Sequence, residues 1–285
     1  MHQPRALHAG LRAGREGERD VTYWPHALRA RVELRARCRV REITTNEEGM
    51  ASGVVYYDAQ GVERFQPAEV VILAANGIGT PRLLLNSTSA RFPAGLANSS
   101  GLVGKNLMLH PWPMVFGYVD EEVDGDRGPQ TVMWSKEFYE TDPSRGFVRG
   151  YTLQFTRGTG PANEAITSMA AGRFPWGKDH HRVFRSLHYR LLLIGVACEN
   201  LPEEHNRVTL DPVLKDSHGI PAPKIDYTIS ENTRRMMEHS IARASEILAT
   251  AGGEKHIRLP HRAEQPWSPP WHRAHGLGPS PFRSE

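Results

Sequence analysis

The sequence predicts an α/β half followed by a half built on an antiparallel sheet. Three features carry that expectation. The first is a continuous apolar run rich in β-branched residues, EVVILAA at 69–75, that ends in a glycine-broken turn. The second is a later succession of short aliphatic and aromatic segments, and the third is one long amphipathic helix near the end. A run apolar on both sides of the pleat is the pattern of a strand covered on both faces in a parallel sheet.

Taken in order, residues 1–20 mix Arg, Gly, Ala and His without periodicity and are expected to be poorly structured. From residue 21 the pattern becomes regular. A short helix is predicted near Pro25 to Ala30, then a strand through Val32, Leu34, Cys38, Val40 and Ile43. Residues 51–58 and 62–65 flank Ala59, Gln60 and Gly61 as a hairpin. After the apolar run, Asn76, Gly77 and Gly79 break the strand, and Thr80 with Pro81 offers an N-cap and a proline at the first helical position. Residues 21–111 are therefore expected to form the α/β domain. Such a corner suits a cofactor, because glycine lets backbone approach a ligand and a helix N-terminus favours negative charge.

Residues 112–260 carry the second domain. Segments 113–119, 146–155 and 187–198 read as its antiparallel strands, and Arg207 to Leu210 as a further strand before a polar turn. Ser230 caps a helix predicted over 230–251, with Met237, Ile241, Ala244 and Leu248 on one face and Gly252 and Gly253 ending it. Residues 261–285 are again unpatterned.

The 285 residues balance 35 Lys and Arg against 32 Asp and Glu, a net charge of +3 spread along the chain, so nucleic acid is not the expected partner. Cys38 and Cys198 stand far apart and outside any metal or redox spacing, which fits a reducing cytoplasm. The longest apolar run falls far short of the roughly 20 residues of a membrane span. His180, His181 and His188 with Asp179 are read as solvated loop residues, since adjacent side chains point apart. No metal site is expected.

The segment VILAANGIGTPRLLLNS (71–87), followed by GLANSSGLVGKNLMLHP (95–111), resembles the signature of glucose-methanol-choline oxidoreductases. The likeness continues through TYWPHALRA, through ENLPEEHNRVTLDPVLKDSHGIPAPKIDY and into the helix after Ser230. It implies a partial FAD-binding, Rossmann-like domain joined to an antiparallel-sheet substrate domain, with FAD as cofactor and an alcohol or sugar as substrate. By position, it implies that the backbone of Val40 meets the adenine of FAD and that Ala75, Asn76 and Thr80 form the turn beside the cofactor. It names neither the substrate nor the electron acceptor. The sequence departs from the family pattern at Asn76, where many relatives carry a second small residue, and at Leu109, where many carry Asp. His110 is expected to be a hydrogen-bonded structural residue.

Two parts of such an enzyme have no counterpart here: the GxGxxG turn that seats the pyrophosphate, and the late His, with a neighbouring His or Asn, that takes the alcohol proton. No catalytic residue is therefore assigned. Codons compatible with residues 268–285, read one base later, yield a block resembling the family's next segment, and residues 11–19 hide another. A shifted frame entering near Ala263 and leaving near Asp20 is the expectation. The alternative function is a non-catalytic fragment that binds a partner or a small apolar ligand.

Overall fold

A computed structural model describes residues 22–123, 131–157, 161, 162, 165 and 177–259. The unpatterned ends, 1–20 and 261–285, lie outside the described residues. In chain order the elements are α1 (Tyr23–Arg29), β1 (Arg39–Thr45), β2 (Ala51–Tyr57), β3 (Glu63–Pro67), α2 (Asn76–Asn86), β4 (Met114–Tyr118) and β5 (Thr131–Ser135). They continue with β6 (Tyr151–Arg157), α3 (His180–His188), β7 (Leu191–Cys198), β8 (Arg207–Lys215), β9 (Pro221–Asp226), α4 (Glu231–Thr250) and β10 (Glu254–Leu259). Among the described residues no helix is long and apolar enough to cross a membrane.

These elements group into two compact units. One joins Tyr23–Met108 to Leu201–Thr228, so the 201–228 segment belongs with the first half of the chain. Its meander β1-β2-β3 is antiparallel, and Asp58 makes the predicted hairpin turn by accepting the Gln60 and Val62 amides. The hairpin β8-β9 is the unit's second sheet. Its β8 backbone docks on the 101–107 loop, where the Val208 amide donates to Gly104 O at 2.7 Å and the Leu107 amide to Asn206 O at 2.8 Å. Gly104 has φ +85°, and a Cβ there would lie 2.1 Å from Val208 O, so this close approach requires glycine.

Two expectations fail here. Residues 69–75 form no strand, and Val70 and Ile72 are 78% and 86% exposed. A strand needs a hydrogen-bonding neighbour, and every strand pairing among the described residues is antiparallel and lies elsewhere. The early strand is also shorter than predicted: Val32 and Leu34 are exposed and precede it.

The other unit holds the described residues of Leu109–Asn200 and those from Ile229 onward. Its antiparallel sheet runs β10-β4-β7-β6-β5. Alternation along the strands sends Val115, Leu153, Ile194 and Val196 to one side, where they meet Met236, Met237, Ala244 and Leu248 of α4. The helix starts as predicted, with Ser230 Oγ accepting the Thr233 amide. Gly117 on β4 faces Leu248, whose Cδ1 stands 3.5 Å, an ordinary van der Waals distance, from where a Cβ would be. Bringing α4 onto the sheet at this distance buries the predicted apolar stripe and sets the unit's core.

Candidate functional site

In the first unit α2 lies along β1, an edge strand of its sheet. Asn86 Nδ2 donates to Arg41 O at 2.9 Å, and Ser87 Oγ accepts the Ile43 amide at 2.9 Å. These side chains satisfy polar groups of an edge that would otherwise face water or another strand. The pairing stops at Arg41, and beyond it the strand and the helix start diverge around a pocket of about 460 Å³. Its walls are Cys38 just before the strand, Arg39 to Arg41 on it, Val71 to Ala75 before the helix, and Asn76, Gly79, Arg82 and Leu83 on α2.

Of the four residues expected at a cofactor, Val40, Ala75 and Asn76 line this pocket, and Thr80 does not. The helix also begins earlier than predicted. Thr80 is not its cap, and Pro81 falls inside it. Asn76, at φ +63°, takes the capping role: its side-chain oxygen accepts the Ile78 and Gly79 amides at 2.9 and 3.0 Å. Asparagine tolerates the left-handed region better than most residues and carries a short acceptor, which explains why it displaces threonine here.

Arg82 was not singled out from the sequence. Its Nη2 meets Asp216 Oδ2 at 3.0 Å and Ile220 O at 3.1 Å, while Nε donates to Pro221 O at 2.7 Å, so the pocket wall is tied to the β8-β9 turn. Burial pushes the Asp216 carboxyl up, but the His218 and Ile220 amides and the Arg82 guanidinium together hold it below the usual range. Arg41 is spent on Glu42 and Glu63, both at 2.6 Å. Arg39 is the exposed cation of the lining, and no described residue makes an ion pair with it.

In the second unit His110 Nδ1 lies 3.2 Å from Cys198 O. Burial pushes the Cys198 thiol up to about 12, which keeps it protonated and unreactive. His180 and His181 pack edge to face with ring centroids 4.4 Å apart, and the buried His188 stacks on Phe184. Among the described residues no group of three His, Cys, Asp or Glu is placed to hold a metal ion.

Residues 2–112 match the model of the GMC oxidoreductase family. The chain is 39% identical over 234 residues to a 2-methyl-1,2-propanediol dehydrogenase of Mycolicibacterium austroafricanum, covering 81% of this chain and 42% of the relative. It is 26% identical over 255 residues to the fructose dehydrogenase large subunit of Gluconobacter japonicus, covering 90% and 44%. A third relative, the gluconate 2-dehydrogenase flavoprotein of Pantoea cypripedii, is 24% identical over 226 residues, covering 76% and 36%. The chain thus spans less than half the length of these curated relatives.

Proposed function

Because the chain belongs to the GMC oxidoreductase family, we propose that it forms part of an FAD-dependent enzyme that oxidises an alcohol or sugar hydroxyl. FAD, when bound, supplies the ring that accepts the hydride. The observation that carries this reading is the meeting of Val40, Ala75 and Asn76 at one pocket.

The donor set fits one end of the cofactor. A volume of about 460 Å³ is in the range of small-ligand sites. The pocket joins an edge strand, whose backbone can read a base, to the exposed Arg39, whose charge suits a phosphate. Asn76 already occupies the Ile78 and Gly79 amides. The helix start therefore offers little to a pyrophosphate, in keeping with the lack of a GxGxxG turn in this sequence. We assign Val40 and Ala75 to the adenine and ribose, and Asn76 to holding the turn that walls them in; Thr80 supports the same turn from within α2. Residues 69–75 are assigned as a strand that pairs only when a Rossmann-like sheet is assembled around it.

The exposed Val70 and Ile72 favour the second reading, a non-catalytic piece that binds a partner through this apolar segment. One experiment separates the two. The purified chain should show a flavin absorption spectrum or quench the fluorescence of added FAD. A colourless protein that leaves FAD fluorescence unchanged overturns the flavoprotein reading.

A further inference from the structure

We propose that this chain pairs with a second copy of itself through α3, whose cationic face meets the acidic turn at 120–122 of the other copy in a two-fold dimer. The inference is independent of the cofactor reading and draws only on residues of the second unit.

Helical spacing gathers the cations. Gly177 O accepts the His180 amide, so the chain already follows a helical path at Lys178. Lys178, Arg182 and Arg185 then stand at i, i+4 and i+7, on one side over about 10 Å of helix, and all three are exposed. Val183, Phe184 and Leu187 take the other side and are half-buried. The cations do not serve the helix itself. Its first turn carries no acidic residue, Arg182 sits at the positive end of the dipole, and Arg182 and Arg185 repel each other at i, i+3. Asp179 compensates Arg182 at 3.4 Å, and no described residue makes an ion pair with Lys178 or Arg185.

The counter-charge is fixed at the far end of α3. Tyr118 at the end of β4 lies across from Leu191 at the start of β7. Beyond that pair the Val119 amide donates to Arg190 O at 2.9 Å, the Val123 amide to Tyr189 O at 2.7 Å, and the Arg190 guanidinium to Asp120 O. Asp120, Glu121 and Glu122 are thereby held, exposed, beside the residues that close the helix, and no described residue makes an ion pair with their carboxylates. A patch basic at one end and acidic at the other complements itself after half a turn, which is what a two-fold contact requires. Other occupants fit less well. The exposed residues of α3 include no apolar side chain to enter a bilayer, and the acidic turn repels an anionic membrane or a uniformly acidic protein.

The test is sedimentation velocity on the full chain at about 20 mM and about 500 mM NaCl, with the folding of every variant checked by circular dichroism. Exposed ion pairs are individually weak and screened by salt, so dimer should form at the lower concentration and dissociate at the higher. Arg182→Glu with Arg185→Glu, and Glu121→Lys with Glu122→Lys, should each raise the dimer dissociation constant at least about tenfold. Mixed in equal amounts, the two variants should associate again, because each then offers the charge that the other lacks. Arg234→Glu with Arg235→Glu, an equal change of net charge on the exposed side of α4, should leave association unaltered. The salt comparison on the unaltered chain needs no variant. A chain that is monomeric at low salt, association that ignores salt or either reversal, or reversed variants that fail to restore each other overturns the dimer.

Discussion

The Tyr151 hydroxyl lies 2.8 Å from Nδ1 of His239 and joins β6 to α4 within the core of the second unit. Phe138 stacks on the Tyr151 ring at 5.1 Å, and Phe147 meets the imidazole edge at 5.4 Å. Burial pushes the tyrosine hydroxyl up, so it stays protonated and hydrogen-bonds the imidazole Nδ1, with the direction set by the tautomer of His239. Removing the hydroxyl while keeping the ring, in Tyr151→Phe, leaves Nδ1 without its partner and should cost about 1–2 kcal/mol in urea unfolding.

The same pair gives stability a pH dependence. Burial lowers the pKa of His239, the Arg243 and Arg145 charges lower it further, and Glu246 and Asp142 oppose them. The folded state then favours neutral His239, whose unfolded value is about 6.5. Its contribution is fully present above that value and is lost as pH falls through the lower folded one. The urea midpoint should therefore drop between about pH 7.5 and 5, and His239→Phe should flatten part of that drop. An unchanged pH profile in the variant would exclude His239 as the source.

Arg82 holds the pocket wall to the β8-β9 turn through three acceptors. Arg82→Ala leaves the Asp216 carboxylate half-buried without its cation and should destabilise the first unit by about 2–4 kcal/mol. Lysine cannot reproduce the fork, so Arg82→Lys should recover only part of the loss. Because Asp216 is held below the usual carboxylate range, this stabilisation is present at neutral pH and fades as pH falls through the lowered value. Full stability in Arg82→Ala would show that the contact is incidental.

Gly104 gives a sharper backbone test. An alanine there combines a left-handed φ with a methyl group 2.1 Å from Val208 O. Gly104→Ala should therefore cost more than about 2 kcal/mol and speed exchange of the Val208 amide, which donates to Gly104 O. An alanine variant as stable as the parent would mean that β8 does not dock this closely.

What the sequence makes legible is local. The Ser230 cap, the α4 stripe and the Asp58 turn all follow from residues within a few positions of each other, and the structure forms them. Residues 69–75 show the limit: their composition encodes a buried strand, but pairing depends on a neighbour that a local pattern does not contain. Ile72 stands exposed for that reason. The Arg82 tie was invisible because its acceptors lie 134 to 139 residues away in the chain. At the site, the strand position of Val40 and the turn at Ala75 and Asn76 were legible, whereas the choice of Asn76 over Thr80 as cap turned on a backbone angle that residue identity alone does not fix.

Asn76 joins stability to the pocket, and two substitutions separate its roles. Asn76→Ala removes the acceptor for the Ile78 and Gly79 amides and strains the φ of +63°, so it should cost about 1–2 kcal/mol. Asn76→Gly loses the acceptor but accepts the angle and should cost only a few tenths of a kcal/mol. If Asn76 serves the cofactor by shaping the turn, FAD uptake should fall in the alanine variant and survive in the glycine one. Equal loss in both would instead mean that the carboxamide contacts the ligand directly, and equal retention would remove Asn76 from the site.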